Sequence, residues 1–376
     1  MNTKSFATRS QWVTNHNFPT VPGVHILGLD MGYSAPKIVY ENGQIVFPNF
    51  CKKLEGELIG ELPKGAIVYE NPAGDRYYVG KMALNTLSED SVVAEDSLFG
   101  RNHYLHSDFR VVFDTALGLA LWNIDTDGTD LFLQTGLPPA YMTKDEPYIR
   151  AAMTGTHEFS LIVEGQKKNF SVSITNEQID VMSQPMGTVN SLLFGDNGKY
   201  SAIAGDVMRN NLLIFDAGFK TLDTFFIHAN QLESQGTNPN LGMYRVLSEA
   251  RAKIRDDFGI EVSIPMMQTV LRTGKVTVND AFTLTSREYP VDKYIENATI
   301  MVADEALDSI KDYIFEIKYL VMTGGTSEAW FERFSSRLEK TPVTILRGNA
   351  TTNLAAFYAN ARGYYMNRYK KLGGRL

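Results

Sequence analysis

Two segments of this chain end an apolar run in the same way. Ile26-Leu27-Gly28-Leu29-Asp30-Met31-Gly32-Tyr33 and Leu213-Ile214-Phe215-Asp216-Ala217-Gly218-Phe219 both give Asp-x-Gly-aromatic. Such a segment reads as a strand entering a tight turn, and glycine there lets backbone N–H groups line up around an anion. An aspartate at the strand end would repel phosphate directly, but it can hold waters of a Mg²⁺ ion, which takes few carboxylates and keeps several waters. Lys37 after the first turn brings a positive charge for a β- or γ-phosphate, and Thr221 follows the second. Two such turns facing each other could clamp a triphosphate. The candidates are therefore Asp30, Gly32 and Lys37 on one side and Asp216, Gly218 and Thr221 on the other. A single Asp-Gly turn is common turn chemistry; the pair, in register with a repeated pattern, carries the reading.

A third glycine motif, Thr323-Gly324-Gly325-Thr326-Ser327, separates an apolar run from a helical one. Two glycines let a nucleoside approach the backbone closely, and the helix start favours an anion. Other chemistry finds little footing. Gly-Lys occurs three times, never followed by Ser or Thr, so there is no P-loop. A dinucleotide fingerprint and a nucleophile elbow are also missing. His103 and His106 lack the acidic or cysteine partners of a metal site, and Cys51 stands alone.

The elements that must position these residues follow from periodicity. Strands are expected at Val24–Asp30, near Lys37 to Tyr40 and at Gln44–Phe47, with Asn42-Gly43 as a type I′ turn. Helical spacing runs from about Asp108 to Trp122. A buried strand at Leu131–Thr135 stops at Gly136-Leu137-Pro138-Pro139, and a helix capped by Thr143 follows to about Met153. A hairpin is expected over 158–175, then a short strand at Ile179–Met182 and a helix near 186–194. The pattern restarts with strands at Leu212–Asp216 and Thr221–His228. A helix from Gly242 to Phe258, stopped by Gly259, comes next. A long helix over 293–316, a strand at Tyr319–Thr323, a helix and a last helix over 352–370 complete the chain. The restart predicts an α/β protein built from a duplicated domain, with a cleft between the copies.

The 376 residues are too many for one ordinary core and imply about two domains. The expected division is an arm at 1–23, a first domain at 24–205 with a small insert at about 48–100, a second at 206–350, and a C-terminal helix at 351–376 returning to the first. The arm, with Lys4 and Arg9 as its only charges, reads as irregular, either loose or docked on a neighbouring subunit, and nucleotide affinity is expected to survive its deletion. A net charge of −7 argues against direct binding of nucleic acid. One cysteine fits a reducing compartment, and the absence of an apolar membrane span or signal core fits a cytoplasmic protein.

The order Asp30-x-Gly-x-x-x-x-Lys37, Asp216-x-Gly-x-x-Thr221-x-Asp223, Gly324-Gly325 resembles the phosphate-1, phosphate-2 and adenosine motifs of the actin/Hsp70/sugar-kinase superfamily. The chain most resembles the ParM-type prokaryotic actin-like plasmid-segregation ATPases. Length, Leu131-Phe132-Leu133-Gln134-Thr135-Gly136-Leu137-Pro138 and the stretch from Asn349 to Tyr365 support this. The resemblance runs over about 24–370. It implies duplicated actin-like (ribonuclease H-like) domains around a nucleotide cleft, ATP with GTP left open, Mg²⁺ held by Asp30 and Asp216 largely through water, and catalysis by those aspartates with Gln184. Gln184 falls in Val181-Met182-Ser183-Gln184-Pro185, where the family orients the attacking water.

By the same resemblance Gly32, Tyr33, Ser34 and Lys37 form the first phosphate turn, and Gly218, Phe219, Lys220 and Thr221 the second. Gly324, Gly325, Thr326 and Lys253 flank the nucleoside. Tyr33 and Phe219-Lys220 depart from the family's small turn residues. The implied function is a filament-forming ATPase that moves DNA through a ParR-type adaptor, with itself as partner and no membrane. A non-polymerising small-molecule kinase or phosphatase of the superfamily is the alternative; a chaperone-like or cell-division scaffold is the third reading.

Overall fold

The computed structural model describes residues 9–56, 60–86, 103–280 and 284–373. Its first half is built on a six-stranded sheet. Across it lie Gln11–Val13, Gly43–Val46, Pro36–Tyr40, Val24–Met31, Asp130–Leu137 and Ile179–Ser183. The last three run parallel and the others antiparallel. Val24–Met31 and Asp130–Leu137 are nearly continuous apolar runs, as strands covered on both faces must be. One face carries the helix Ser107–Ala120, with eleven buried residues, and the other the helix Ala359–Lys371.

The second half repeats the theme with five strands: Gln231–Asn238, Leu222–His228, Leu212–Ala217, Tyr319–Thr323 and Thr344–Arg347. Its main core joins Leu213 and Phe215 to the helices Met243–Phe258, Asp292–Asp308 and Ser327–Leu338. Val246, Leu247, Ala250 and Ile254 form the buried stripe of the first of these, which ends at Gly259 with φ +69°. The parallel strands of both sheets point their C-terminal ends at the space between the halves, where ligands of open α/β sheets bind.

Several elements differ from expectation for local physical reasons. The described part of the arm is docked on its own chain: Gln11–Val13 pairs with Gly43–Val46 and Phe18 is buried, while 14–20 are irregular. The hairpin loop is Glu41-Asn42, since Tyr40 pairs with Gly43. Neither loop residue has positive φ, so the turn is not type I′. Gly43 is instead needed in the strand, where a Cβ would lie 1.9 Å from the Val13 carbonyl oxygen.

The expected insert also differs. Cys51–Lys53, Ile67–Glu70 and Arg76–Val79 share a five-stranded sheet with the hairpin Gly155–Val163 and Gln166–Ile174. That small sheet is thus assembled from two separate stretches, and the rest of the 48–100 insert lies partly outside the described residues. The 293–316 helix stops at Asp308, where the Ser309 hydroxyl bonds the Ala306 carbonyl and the chain tightens into a 3₁₀ turn at Lys311–Tyr313. The last helix begins only at Ala359. Asn349 and Thr352 side chains bond nearby backbone at 349–354, competing with helix there. No helix among the described residues is long and apolar enough to cross a membrane.

Candidate nucleotide cleft

The two Asp-x-Gly turns meet at one cavity. It is a cleft partly open to solvent and lined from both sheets. Asp30, Gly32, Tyr33, Ser34 and Lys37 line it from the first sheet. Asp216, Gly218, Phe219, Lys220 and Thr221 line it from the second. Gly324, Gly325, Thr326 and Gln184 complete the expected set. Lys253 is not brought in: it lies on the exposed face of its helix, away from the cavity wall, because the buried stripe through Ala250 and Ile254 turns it to solvent.

Each turn is held by its carbonyls. Asn49 Nδ2 donates to the Gly32 and Tyr33 oxygens at 3.2 and 3.1 Å. The Gly218 oxygen accepts from Thr326 Oγ1 at 2.8 Å, and the Phe219 oxygen from the Tyr244 N–H at 2.7 Å. In a trans peptide the N–H points opposite the carbonyl. Anchoring these oxygens in protein puts the following N–H groups on the opposite side of each peptide. Glycine is needed at Gly324, and at Gly32 a side chain would have to push the Lys37 ammonium aside. A Cβ on Gly32 would sit 2.7 Å from Lys37 Nζ. On Gly324, at φ +85°, it would sit 2.4 Å from Asp216 Oδ1.

The charged groups form a chain across the cleft. Lys37 Nζ donates to Asp30 Oδ2 at 3.2 Å, and Gln184 Nε2 to Asp30 Oδ1 at 3.4 Å. Asn360 Nδ2 donates to Asp216 Oδ2 at 2.6 Å while its oxygen accepts from Thr188. Asp223 stands opposite Asp216 on the neighbouring strand and accepts from Thr221 Oγ1 at 3.1 Å. Burial pushes Asp216 up to about 6; the Asn360 bond opposes this and the Asp30 charge adds to it. Burial, followed by repulsion from Asp216, pushes Asp223 up to about 8.

These residues fit a hydrated divalent cation. Three buried carboxylates converge, and Asp223 Oδ1 has no hydrogen-bond partner. Among the described residues no three acidic, histidine or cysteine side chains are placed to ligate an ion directly, so waters must complete any coordination.

Arg9 and Asn360 also line the cavity and are not among the expected site residues; Asp223, which belongs to the second phosphate motif but has no role assigned by it, lines it too. Asp223 had a signal, since two-residue alternation places it beside Thr221 and opposite Asp216. Asn360 and Arg9 reach the cavity only through long-range packing. His103 is a packing group, with its ring 4.6 Å from Tyr33. Burial raises the Cys51 thiol, which makes it a poor nucleophile.

The fold and cleft define a two-domain actin-like α/β protein. Residues 28–187 match the N-terminal domain family of actin-like proteins. A 15-stranded ParM filament from Clostridium botulinum superposes with TM-score 0.73 at 16% identity, covering 93% of this chain and 99% of that one. A non-polymerisable quadruple mutant of pCBH ParM gives 0.71 at 16% identity, with the same coverage. Ta0583, an archaeal actin homolog in complex with ADP, gives 0.61 at 17%, covering 92% of this chain and 99% of that one. No curated protein matches the sequence. The chain therefore has the actin-like fold that these ParM and archaeal structures share.

Proposed function

We propose that the chain is a filament-forming, nucleotide-dependent ATPase that segregates DNA through a separate DNA-binding adaptor of ParR type. The observation that carries this reading is the convergence of two Asp-x-Gly hairpins, one from each sheet, on a single cavity with Lys37, Gln184 and three buried carboxylates. ATP is the proposed ligand. Its polyphosphate lies between the turns, and its nucleoside lies toward Met243, Gln268, Leu271 and Gly324-Gly325. Asp30, Asp216 and Asp223 would hold Mg²⁺ through its waters, and when bound the ion neutralises phosphate charge.

Gln184 donates its amide N–H to Asp30. Its carbonyl oxygen is then left to accept a hydrogen bond from the attacking water and orient it. Such positioning suits phosphoryl transfer, where orientation and charge stabilisation dominate. Self-association is supported by the filament-forming structures that share the fold, and indirect DNA contact by the net charge of −7. The test is high-speed pelleting of pure protein with Mg-ATP, Mg-GTP or no nucleotide, with phosphate release followed in the same samples. Pelleting that requires nucleotide and accompanies phosphate release is expected. Tight nucleotide binding without polymer across concentration and salt would overturn the filament and favour the kinase alternative.

A further inference from the structure

The N-terminal arm ends its described course at the cavity. Residues line up across four strands: Asp30 pairs with Lys37, Lys37 with Val46, and Val46 with Gln11. Gln11 therefore lies at the same end of the sheet as the first phosphate turn, about 14 Å from Asp30 at ordinary strand spacing. Arg9 is two residues further on. It lines the cavity, with its guanidinium 5.1 Å from the centre of the Phe357 ring, where a cation is held without being neutralised. Among the described residues no carboxylate pairs with it, whereas Lys37 is engaged by Asp30.

The arm is seated rather than draped. Trp12 Nε1 donates to the Tyr40 hydroxyl, which donates in turn to the Val13 carbonyl. The His16 and Phe18 N–H groups bond the Asn42 and Glu41 carbonyls at 3.0 and 2.9 Å. The Tyr365 hydroxyl donates to the Pro19 carbonyl at 2.8 Å. Gly43 lacks the Cβ that would collide with Val13. A strand held at this many points delivers its preceding residue to a fixed place.

We propose that Arg9 is a further binding residue, an in-chain cation that the arm places at the mouth of the cleft for the anionic phosphates of the nucleotide. This rests on the nucleotide reading of the cavity. A planar guanidinium donates paired hydrogen bonds to phosphate oxygens and stays charged at every working pH. The arm thus makes occupancy depend on a strand added to the sheet edge, outside the two turns. It also reverses the sequence expectation that nucleotide affinity is indifferent to the arm.

The test is equilibrium binding of a fluorescent ATP analogue, ADP and adenosine to the full chain and to Arg9→Ala, Arg9→Lys and Gly43→Val, with circular dichroism on each. Arg9→Ala should weaken triphosphate binding on the order of ten-fold, as expected for loss of a charged hydrogen bond. Adenosine binding should not change, and Arg9→Lys should recover part of the loss. Gly43→Val leaves Arg9 intact but unseats the arm, and should reproduce the Arg9→Ala loss. Equal triphosphate affinity in Arg9→Ala and the parent overturns the proposal while leaving the nucleotide cleft standing. A parent chain that binds no nucleotide overturns both.

Discussion

The two hairpins at the cleft have the same loop length and the same position at their sheet's end, yet different residues face their aspartates. Lys37 stands opposite Asp30, and Asp223 opposite Asp216. The first hairpin is therefore neutral within itself. The second carries two acids that burial and mutual repulsion keep from ionising together. The two hairpins share a backbone plan but differ at one cross-strand position: the first sets a lysine beside its aspartate, suited to phosphate, and the second sets two acids together, suited to the cation that accompanies phosphate. Similar geometry does not imply equal chemistry, because one cross-strand residue decides whether each aspartate faces a cation or another acid.

Substitutions at the aspartates should break this comparison hardest. Asp216→Ala should lower Mg²⁺-dependent phosphate release by about 100-fold or more, the scale of lost transition-state charge stabilisation. Asp30→Ala should do the same, and unchanged turnover in either would remove that aspartate from the cation site. Gln184→Ala should slow phosphate release about 10- to 100-fold, within reach of losing one positioned group. Nucleotide-dependent pelleting should persist in that variant, and an unaltered rate would reject the water-orienting role.

The division between the hairpins is sharpened by a paired measurement. Lys37→Met should weaken triphosphate affinity about ten-fold, while Asp223→Asn should leave metal-free nucleotide affinity within about two-fold. Equal losses would mean that the hairpins are not specialised.

The smallest effect concerns pH in the absence of metal and nucleotide. Asp223 and Asp216 titrate higher in the folded chain than their ordinary value of 3.8. The fold therefore holds their protons more tightly, and that stability is full below about pH 4. It is lost as pH rises through about 6 and about 8. Melting temperature should fall between pH 5 and pH 8.5, and Asp223→Asn should flatten the upper part of that fall. A melting temperature that climbs over this range would contradict the buried acidic pair.

What could be read from the sequence was local. Asp30, Gly32 and Lys37 lie within one hairpin, and so do Asp216, Gly218 and Thr221, so strand alternation and turn chemistry were enough to group them. Facing the two groups across a cavity needed only the repeat. Asn360 was harder, because its contact with Asp216 depends on how a distant helix seats against the strands. Arg9 was harder still, since nothing in an acid-free arm announces pairing with residues 43–46. Gly43 misled for a related reason: Asn-Gly is a turn signal, but here the glycine answers to the strand beside it. Lys253 failed because a charge on a helix can satisfy the sequence pattern of a contact while packing turns it outward.

Beneath the cleft the helices Gln184–Leu193 and Ala359–Lys371 cross with their backbones touching. A Cβ on Gly363 would lie 1.6 Å from the Gly187 oxygen, and one on Gly187 would lie 2.9 Å from the Asn360 oxygen. Asn360, one turn before Gly363, is the residue that holds Asp216. Any side chain at position 187 or 363 would prise the helices apart and draw Asn360 from its carboxylate.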